Sequence, residues 1–396
     1  VSKIDPQTVG DLAKEARNNM YLRHVPLFLA RELARKGNGS IVADVLEEVV
    51  QRADELTEFL VIYWKDGRSP LSAGVKRGLA KAFRKFNVYQ LAKYDRANTV
   101  RLRDVLFLTH PKPKDQDQQD VWDKLVQNEL EAPDTWEVAL SAGMNKKETW
   151  ERLLREKRLG GLATLRNLRN MLSVSVDVEL IKERLNDSMG KIFPYRFITA
   201  AKYAPKLEAA LEHAMLGAID KELVLKGRTC LVVDVSGSMD GAMSKKSEAT
   251  RIDTACGLAV LLREVCEDLV VYATGGDDGR NIHATAEVPA RHGFALRDAI
   301  DGLKGKLGGG GIFLAQCMDY IASKEKAEFE RVIVLTDEQD CDRNRTAMSA
   351  KKLGKVNYTL NLASYQNGTS YGSGWHLVNG WSDQVVRYIQ LLESEQ

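Results

Sequence analysis

Cysteine is sparse in this chain and carries no pairing pattern. Cys230, Cys256, Cys266, Cys317 and Cys341 make an odd count, and none belongs to a CxxC pair. That argues against a disulfide framework and against a thiolate-held metal, and it predicts a reduced, cytoplasmic setting. The six histidines, His24, His110, His213, His283, His292 and His376, have no metal-ligand spacing. No apolar run approaches the ~18 residues that a membrane-spanning helix needs. The start lacks the basic–apolar–small order of a secretory signal, although the numbering begins at Val1 and not at Met. The expectation is a chain with no membrane segment.

The 396 residues are enough for two or three domains with buried cores. The net charge of +2 hides an asymmetry. Residues 1–225 hold 37 Lys and Arg against 32 Asp and Glu, whereas 226–396 hold 20 against 23. Within 65–114 there are 13 basic residues and only 3 acidic ones. So local an excess points to a polyanionic partner.

Apolar positions at helical spacing predict helices near 22–36, 40–54, 72–86, 117–128, 147–157 and 206–223. Pro26, Gly37, Pro70, Pro111, Pro133, Gly143 and Pro194 fall mostly between these stretches or at their starts. Short helices in series predict an irregular helical-repeat, HEAT-like solenoid over residues 1–225, without a strict period. After residue 225 the rhythm changes. Strands are expected at Cys230–Val235, Leu269–Thr274, Arg331–Thr336 and Val356–Ala363. Helices are expected at Arg251–Cys266 and near 294–304, 313–324, 342–352 and 382–393. That alternation predicts a Rossmann-like α/β domain over 226–396 with a mostly parallel sheet. Ligands of such sheets sit at the carboxyl ends of the strands, where Asp234 and Asp337 would meet.

The sequence Asp234-Val-Ser236-Gly-Ser238 places one carboxylate and two hydroxyls on the loop leaving a strand. Hard oxygens two residues apart suit a small divalent cation such as Mg²⁺. The plainer reading is that these residues cap the helix that follows. In the basic segment, Arg77, Lys81, Arg84 and Lys85 share one helix face, while Val75, Leu79, Ala82 and Phe86 share the other. Such a face could lie along a phosphate backbone, with Tyr89, Tyr94 and Phe107 offering stacking surfaces. The plainer reading is a solvated helix face with core aromatics.

Residues 226–394, with Asp234-Val-Ser236-Gly-Ser238-Met239 and Leu335-Thr336-Asp337, resemble a von Willebrand factor A domain with its metal-ion-dependent adhesion site. That resemblance implies Asp234, Ser236, Ser238 and Asp337 as metal residues. The family's second loop carries a Thr where this chain has Ile312, which puts tight Mg²⁺ binding in doubt. The blocks Leu102–His110-Pro-Lys112-Pro, Ala132–Gly143, Thr149-Trp150, Leu165–Met171 and Phe193-Pro-Tyr-Arg196-Phe197 resemble the TROVE module. The two modules in this order resemble the Ro ribonucleoprotein family. The resemblance implies a ring of helices closed by the A domain and a non-catalytic scaffold. It also implies binding of small structured noncoding RNA (Y RNA) and of misfolded RNA ends, with an exoribonuclease tethered through RNA in bacterial members. Lys76, Arg77, Lys81, Arg84, Lys93, Arg96, Arg101 and Arg103 are the expected RNA surface, with Arg166, Asn167, Arg169 and Asn170 as further candidates. The sequence before the Lys/Arg-rich segment is shorter than in that family, which leaves ring closure and association of copies open. Two other readings stand beside this one. One is an Mg²⁺-dependent protein–protein adhesion module with a helical spacer. The other is a metal-dependent nuclease or hydrolase.

Overall fold

The computed structural model describes residues 3–187, 189–190, 192–245, 247–343, 351–363, 374–382 and 384–394. It divides into two compact units, Val1–Ala142 and Gly143–Gln396.

In the first unit, apolar stripes at helical spacing build α1 (Pro6–Asn18), α2 (His24–Arg35), α3 (Gly39–Val49), α4 (Ala53–Tyr63), α5 (Ala73–Phe83), α6 (Val88–Tyr94), α7 (Leu102–Thr109), α8 (Gln116–Gln127) and α9 (Trp136–Ser141). Their starts are capped by side chains that satisfy free N–H groups. Asp5 accepts from Thr8 at 3.0 Å, Asp115 from Gln118 at 2.8 Å, and Asn87 pairs reciprocally with Gln90. Leu27, Leu46, Leu56, Phe59, Leu79 and Phe83 are fully buried in one apolar core. A buried ion pair crosses it: Glu55 of α4 accepts Arg17 of α1 at 2.7 and 2.9 Å, and also the N–H groups of Gln51 and Arg52. Removing one partner there would strand a buried charge. Contact between α3 and α5 relies on small residues. A Cβ at Gly78 would lie 2.8 Å from the Leu46 Cβ and 2.9 Å from the Ala43 carbonyl oxygen.

The second unit starts with α10 (Lys146–Arg155), α11 (Gly161–Ser173), α12 (Val178–Asn186), α13 (Pro194–Tyr203) and α14 (Glu208–Gly217). It continues with β1 (Leu225–Asp234), α15 (Arg251–Val265), β2 (Cys266–Asp277), β3 (Ile282–Val288), α16 (Gly293–Asp301), α17 (Leu314–Lys324), β4 (Phe329–Thr336), β5 (Gly354–Asn361), β6 (His376–Asn379) and α18 (Val385–Ser394). The strands form one sheet in the order β3-β2-β1-β4-β5-β6, parallel except for the β2–β3 pair. Its strand cores, such as Cys230–Val233 and Val332–Leu335, are continuous buried aliphatic runs, as a sheet covered on its faces requires.

The change from helices alone to strand–helix alternation falls near residue 225, as expected. The packing boundary does not. Helices α13 and α14 lie against α15 and α16, so the last five helices before the sheet join it in one unit. Gly257 permits this: a Cβ there would lie 2.7 Å from the Tyr195 backbone nitrogen. The expected strands and helices of 226–396 appear with ends shifted by a few residues, and β3 and β6 are additional. The helix expected near 342–352 falls largely on 344–350, outside the described residues. No helix among the described residues is long and apolar enough to cross a membrane.

Candidate cation site and basic surfaces

Strands β1 and β4 are parallel neighbours at the point where the strand order reverses. Their register pairs Val233 with Leu335, so the residues that follow leave the same edge of the sheet together. Asp234 is fully buried and held from two sides. One carboxylate oxygen accepts the Ser236 N–H at 2.8 Å, and the other accepts the Thr336 hydroxyl at 2.7 Å. Burial pushes its pKa up to about 6, against the pull of those hydrogen bonds, and the charge of Asp337 adds to the rise. Asp234 is thus a strut that fixes the loop, and Thr336 is its partner.

The loop presents the hydroxyls of Ser236 and Ser238 3.1 Å apart. Adjacent oxygens around an octahedral Mg²⁺, each at about 2.1 Å, stand about 3 Å from one another. Asp337 is fully buried, and its Oδ1 has no hydrogen-bond partner among the described residues. Two hydroxyls at this spacing and one orphaned carboxylate oxygen fit a small divalent cation. The set is lean: among the described residues no three of His, Cys, Asp and Glu gather to hold a metal. Ile312 is fully buried, and its carbonyl accepts the Cys341 N–H at 2.9 Å, so its side chain adds no donor. The other oxygen of Asp337 is occupied. Arg251 Nη1 donates to it at 2.5 Å and to the Ser238 carbonyl at 3.0 Å, while Gln339 donates at 3.1 Å.

Sequence reasoning did not find Arg251. A signal existed. Arg251 opens α15, where the helix dipole disfavours a positive charge unless an anion lies close by.

The basic candidates divide by environment. On α5, Lys76 and Arg77 are exposed and make no ion pair among the described residues, whereas Val75, Leu79 and Ala82 are fully buried and Phe86 nearly so. Lys81 is also exposed but is paired with Glu47 at 2.8 Å and Asp44 at 3.4 Å. Lys85 departs from the expected cationic face. Its amine turns back onto the Glu47 and Val50 carbonyls and caps α3, and burial lowers its pKa. Arg84 is half-buried, Arg96 exposed and Arg103 half-buried. Arg101 reaches Asn128 at 2.7 Å and Asp95 at 3.4 Å. Lys93 lies 5.8 Å from the ring centroids of Tyr89 and Tyr94. Of the three expected stacking rings, Tyr89 and Phe107 are exposed, while Tyr94 is covered by the Arg52 guanidinium at 5.0 Å.

In the second unit, Arg166 and Arg169 are exposed on α11. They line a cavity of about 910 Å³ together with Arg196, Tyr203 and Trp381. Arg169 lies over the Tyr203 ring at 5.5 Å and pairs loosely with Glu248 at 3.7 Å. Tyr195 and Trp381 meet edge to face at 4.7 Å, with Arg196 over Tyr195 at 4.6 Å. Asn167 is buried and bonds back to the Ala163 carbonyl, and Asn170 bonds to Asn167. These two amides serve the helix. Tyr203 and Trp381 were not singled out from the sequence, because a lone aromatic at helical spacing reads as core.

Comparison with known proteins adds three findings. Residues 127–251 match the family model of the TROVE domain. An 89-residue segment is 38% identical to telomerase protein component 1 of Mus musculus and 37% identical to that of Rattus norvegicus. The alignment covers 21% of this chain and 3% of the length of those relatives. The fold is similar to the crystal structure of the Deinococcus radiodurans Ro (RSR) protein, with a TM-score of 0.66 over 98% of this chain and 91% of that one. Identity there is 18%, so that likeness concerns the fold alone. The matched region runs from the end of α8 to the start of α15 and contains the cavity-lining helices α11 and α13, so this part of the chain is similar to the TROVE domain.

Proposed function

We propose that the chain is a non-catalytic, RNA-binding scaffold of a cytoplasmic ribonucleoprotein. The observation that carries the reading is the dense basic segment 65–114, which leaves Lys76, Arg77 and Arg96 exposed and unpaired by acids among the described residues. Such cations neutralise phosphates and release counterions. Exposed Tyr89 and Phe107 lie in the same stretch of chain and add faces for unpaired bases. Structured small RNA of the Y type is the partner this surface suits. The cavity lined by Arg166, Arg169, Arg196, Tyr203 and Trp381 combines guanidinium and aromatic faces, and it suits single-stranded ends of misfolded RNA. An exoribonuclease would join through the RNA rather than through this chain.

The helical segments belong, in this reading, to a HEAT-like array, and the sheet with its covering helices to a von Willebrand factor A domain. Ser236, Ser238 and Asp337 would hold a divalent cation, with Asp234 bracing the loop. Such a cation would offer an open position to an oxygen ligand. The scaffold reading assigns the site no hydrolytic step. Asp337, the carboxylate best placed to activate a water, is engaged by Arg251.

The test is RNA binding by the full chain at several salt concentrations. A steep fall in affinity with salt is expected. A flat response, or no binding of structured small RNA, refutes the reading.

A further inference from the structure

Arg251 reaches the candidate cation site through a built path. Ala242 bridges Thr250, and Met243 N–H donates to the Ala249 carbonyl at 2.9 Å. The Arg251 N–H donates to the Gly241 carbonyl at 3.0 Å. The side chain then passes over Gly241, where a Cβ would stand 3.0 Å from Arg251 Cζ and 3.2 Å from Nε. It ends on Asp337 Oδ2 and the Ser238 carbonyl. The Asp337 side chain is fully buried and that of Arg251 only 13% exposed. Keeping a carboxylate so buried ionised is costly unless hydrogen bonds or an opposite charge compensate it. The guanidinium is that charge, and it lies between two of the loops that would surround a metal.

We propose that Arg251 is a resident counter-cation of this site, so that a divalent cation at Asp337 Oδ1 and the Arg251 guanidinium at Oδ2 compete for the one negative charge of that carboxylate. The inference rests on reading Ser236, Ser238 and Asp337 as a cation site. It explains how the loop can tolerate Ile312 in place of an oxygen donor: the buried carboxylate is neutralised without metal. A divalent cation therefore meets a carboxylate already neutralised by the guanidinium, and a like charge beside it. Arg251 also lines a cavity of about 420 Å³ with Met243, Ala363 and Trp381, into which the guanidinium can draw back from a divalent charge.

The test titrates Mn²⁺ into the full chain and reads free Mn²⁺ by electron paramagnetic resonance. Arg251→Gln is expected to bind Mn²⁺ at least tenfold more tightly than the unaltered chain. Lys304→Gln, which removes a nearby cation paired with Asp240, is expected to gain less than threefold. Chelation should leave the melting temperature of the unaltered chain unchanged, and Mn²⁺ should raise that of Arg251→Gln. Equal Mn²⁺ affinity of the unaltered chain and Arg251→Gln overturns the inference while leaving the cation site standing. No Mn²⁺ binding by either chain overturns both. If Arg251→Gln does not fold, Gly241→Ala serves instead. Gly241 has φ −59°, which alanine adopts freely, and the added methyl pushes the guanidinium aside. Tighter Mn²⁺ binding by that variant supports the inference, and unchanged binding overturns it.

Discussion

Replacing Lys76 and Arg77 together by alanine should flatten the salt dependence of RNA binding, whereas replacing Lys81 should not. The three residues occupy one helix and are all exposed. They differ in what surrounds them. Lys81 is held by Glu47 and Asp44 on α3, so a phosphate approaching it meets two carboxylates as well as one ammonium. Lys76 and Arg77 have no acid in contact among the described residues. Each phosphate contact on duplex RNA or DNA contributes about 0.9 to the slope of log affinity against log salt. Losing two contacts lowers the slope by about 1.8. Over a fourfold rise in salt, such as 50 to 200 mM, the unaltered chain should then lose about twelvefold more affinity than the double variant. Lys81→Ala should change the slope by well under 0.9. Filter binding or fluorescence anisotropy with a small structured RNA reads both slopes. Melting temperatures of all three chains should agree, because none of the side chains packs in the core. The reasoning is refuted if Lys81→Ala alters the slope as much as the double variant, or if the double variant leaves it unchanged.

Gly78→Ala should destabilise the first unit by about 1–3 kcal/mol, since its methyl would press on Leu46 and on the Ala43 carbonyl of α3; urea unfolding followed by Trp64 and Trp122 fluorescence measures it. Leu79→Ala, at a fully buried position, should cost about 2–5 kcal/mol in the same assay. Asp340 has its pKa raised to about 6, chiefly by burial. Its folded value lies above its unfolded one, so the native state holds the extra proton and stability falls as pH rises from about 4 to 6. Asp340→Asn keeps the acceptor for the Asp342 N–H and should remove that fall. It should be more stable than the unaltered chain by about 3 kcal/mol at pH 7 and equal to it near pH 3.5, and a difference that does not vary with pH counters the assignment.

The strand ends were the most legible part of the molecule. Val232-Val233 before Asp234 and Val334-Leu335 before Thr336 are aliphatic runs too short and too β-branched for helices, and in a parallel sheet their carboxyl ends must share an edge. Strand β3 was missed because its residues, Ile282-His-Ala-Thr-Ala-Glu-Val288, carry little hydrophobic signal at the sheet edge. The turn before it, Asp277-Asp-Gly-Arg-Asn281, was passed over as well, although its residues are turn formers and Asn281 is left-handed at φ 54°. Helix α1 was also missed, although Asp5-Pro6 is a cap followed by a first-turn proline. The division at Ala142/Gly143 had no such local sign. It depends on Gly257 letting α15 approach the Tyr195 backbone, a contact between positions 62 residues apart that no window of sequence contains.

The same limit applies to charge. A stripe of Lys and Arg can be counted along a helix, but whether it meets solvent depends on the neighbouring helix. Here α3 brings Asp44 and Glu47 under Lys81 and its last carbonyls under Lys85, and leaves Lys76 and Arg77 bare. Arg251 is the reverse case. One guanidinium at a helix start looks misplaced in the sequence, because the dipole repels it. The fold resolves the misfit by setting it against Asp337, a fully buried carboxylate 86 residues away at that loop edge. A residue that violates a local electrostatic rule is therefore a pointer to a distant partner of opposite charge, and here that partner stands where a metal would.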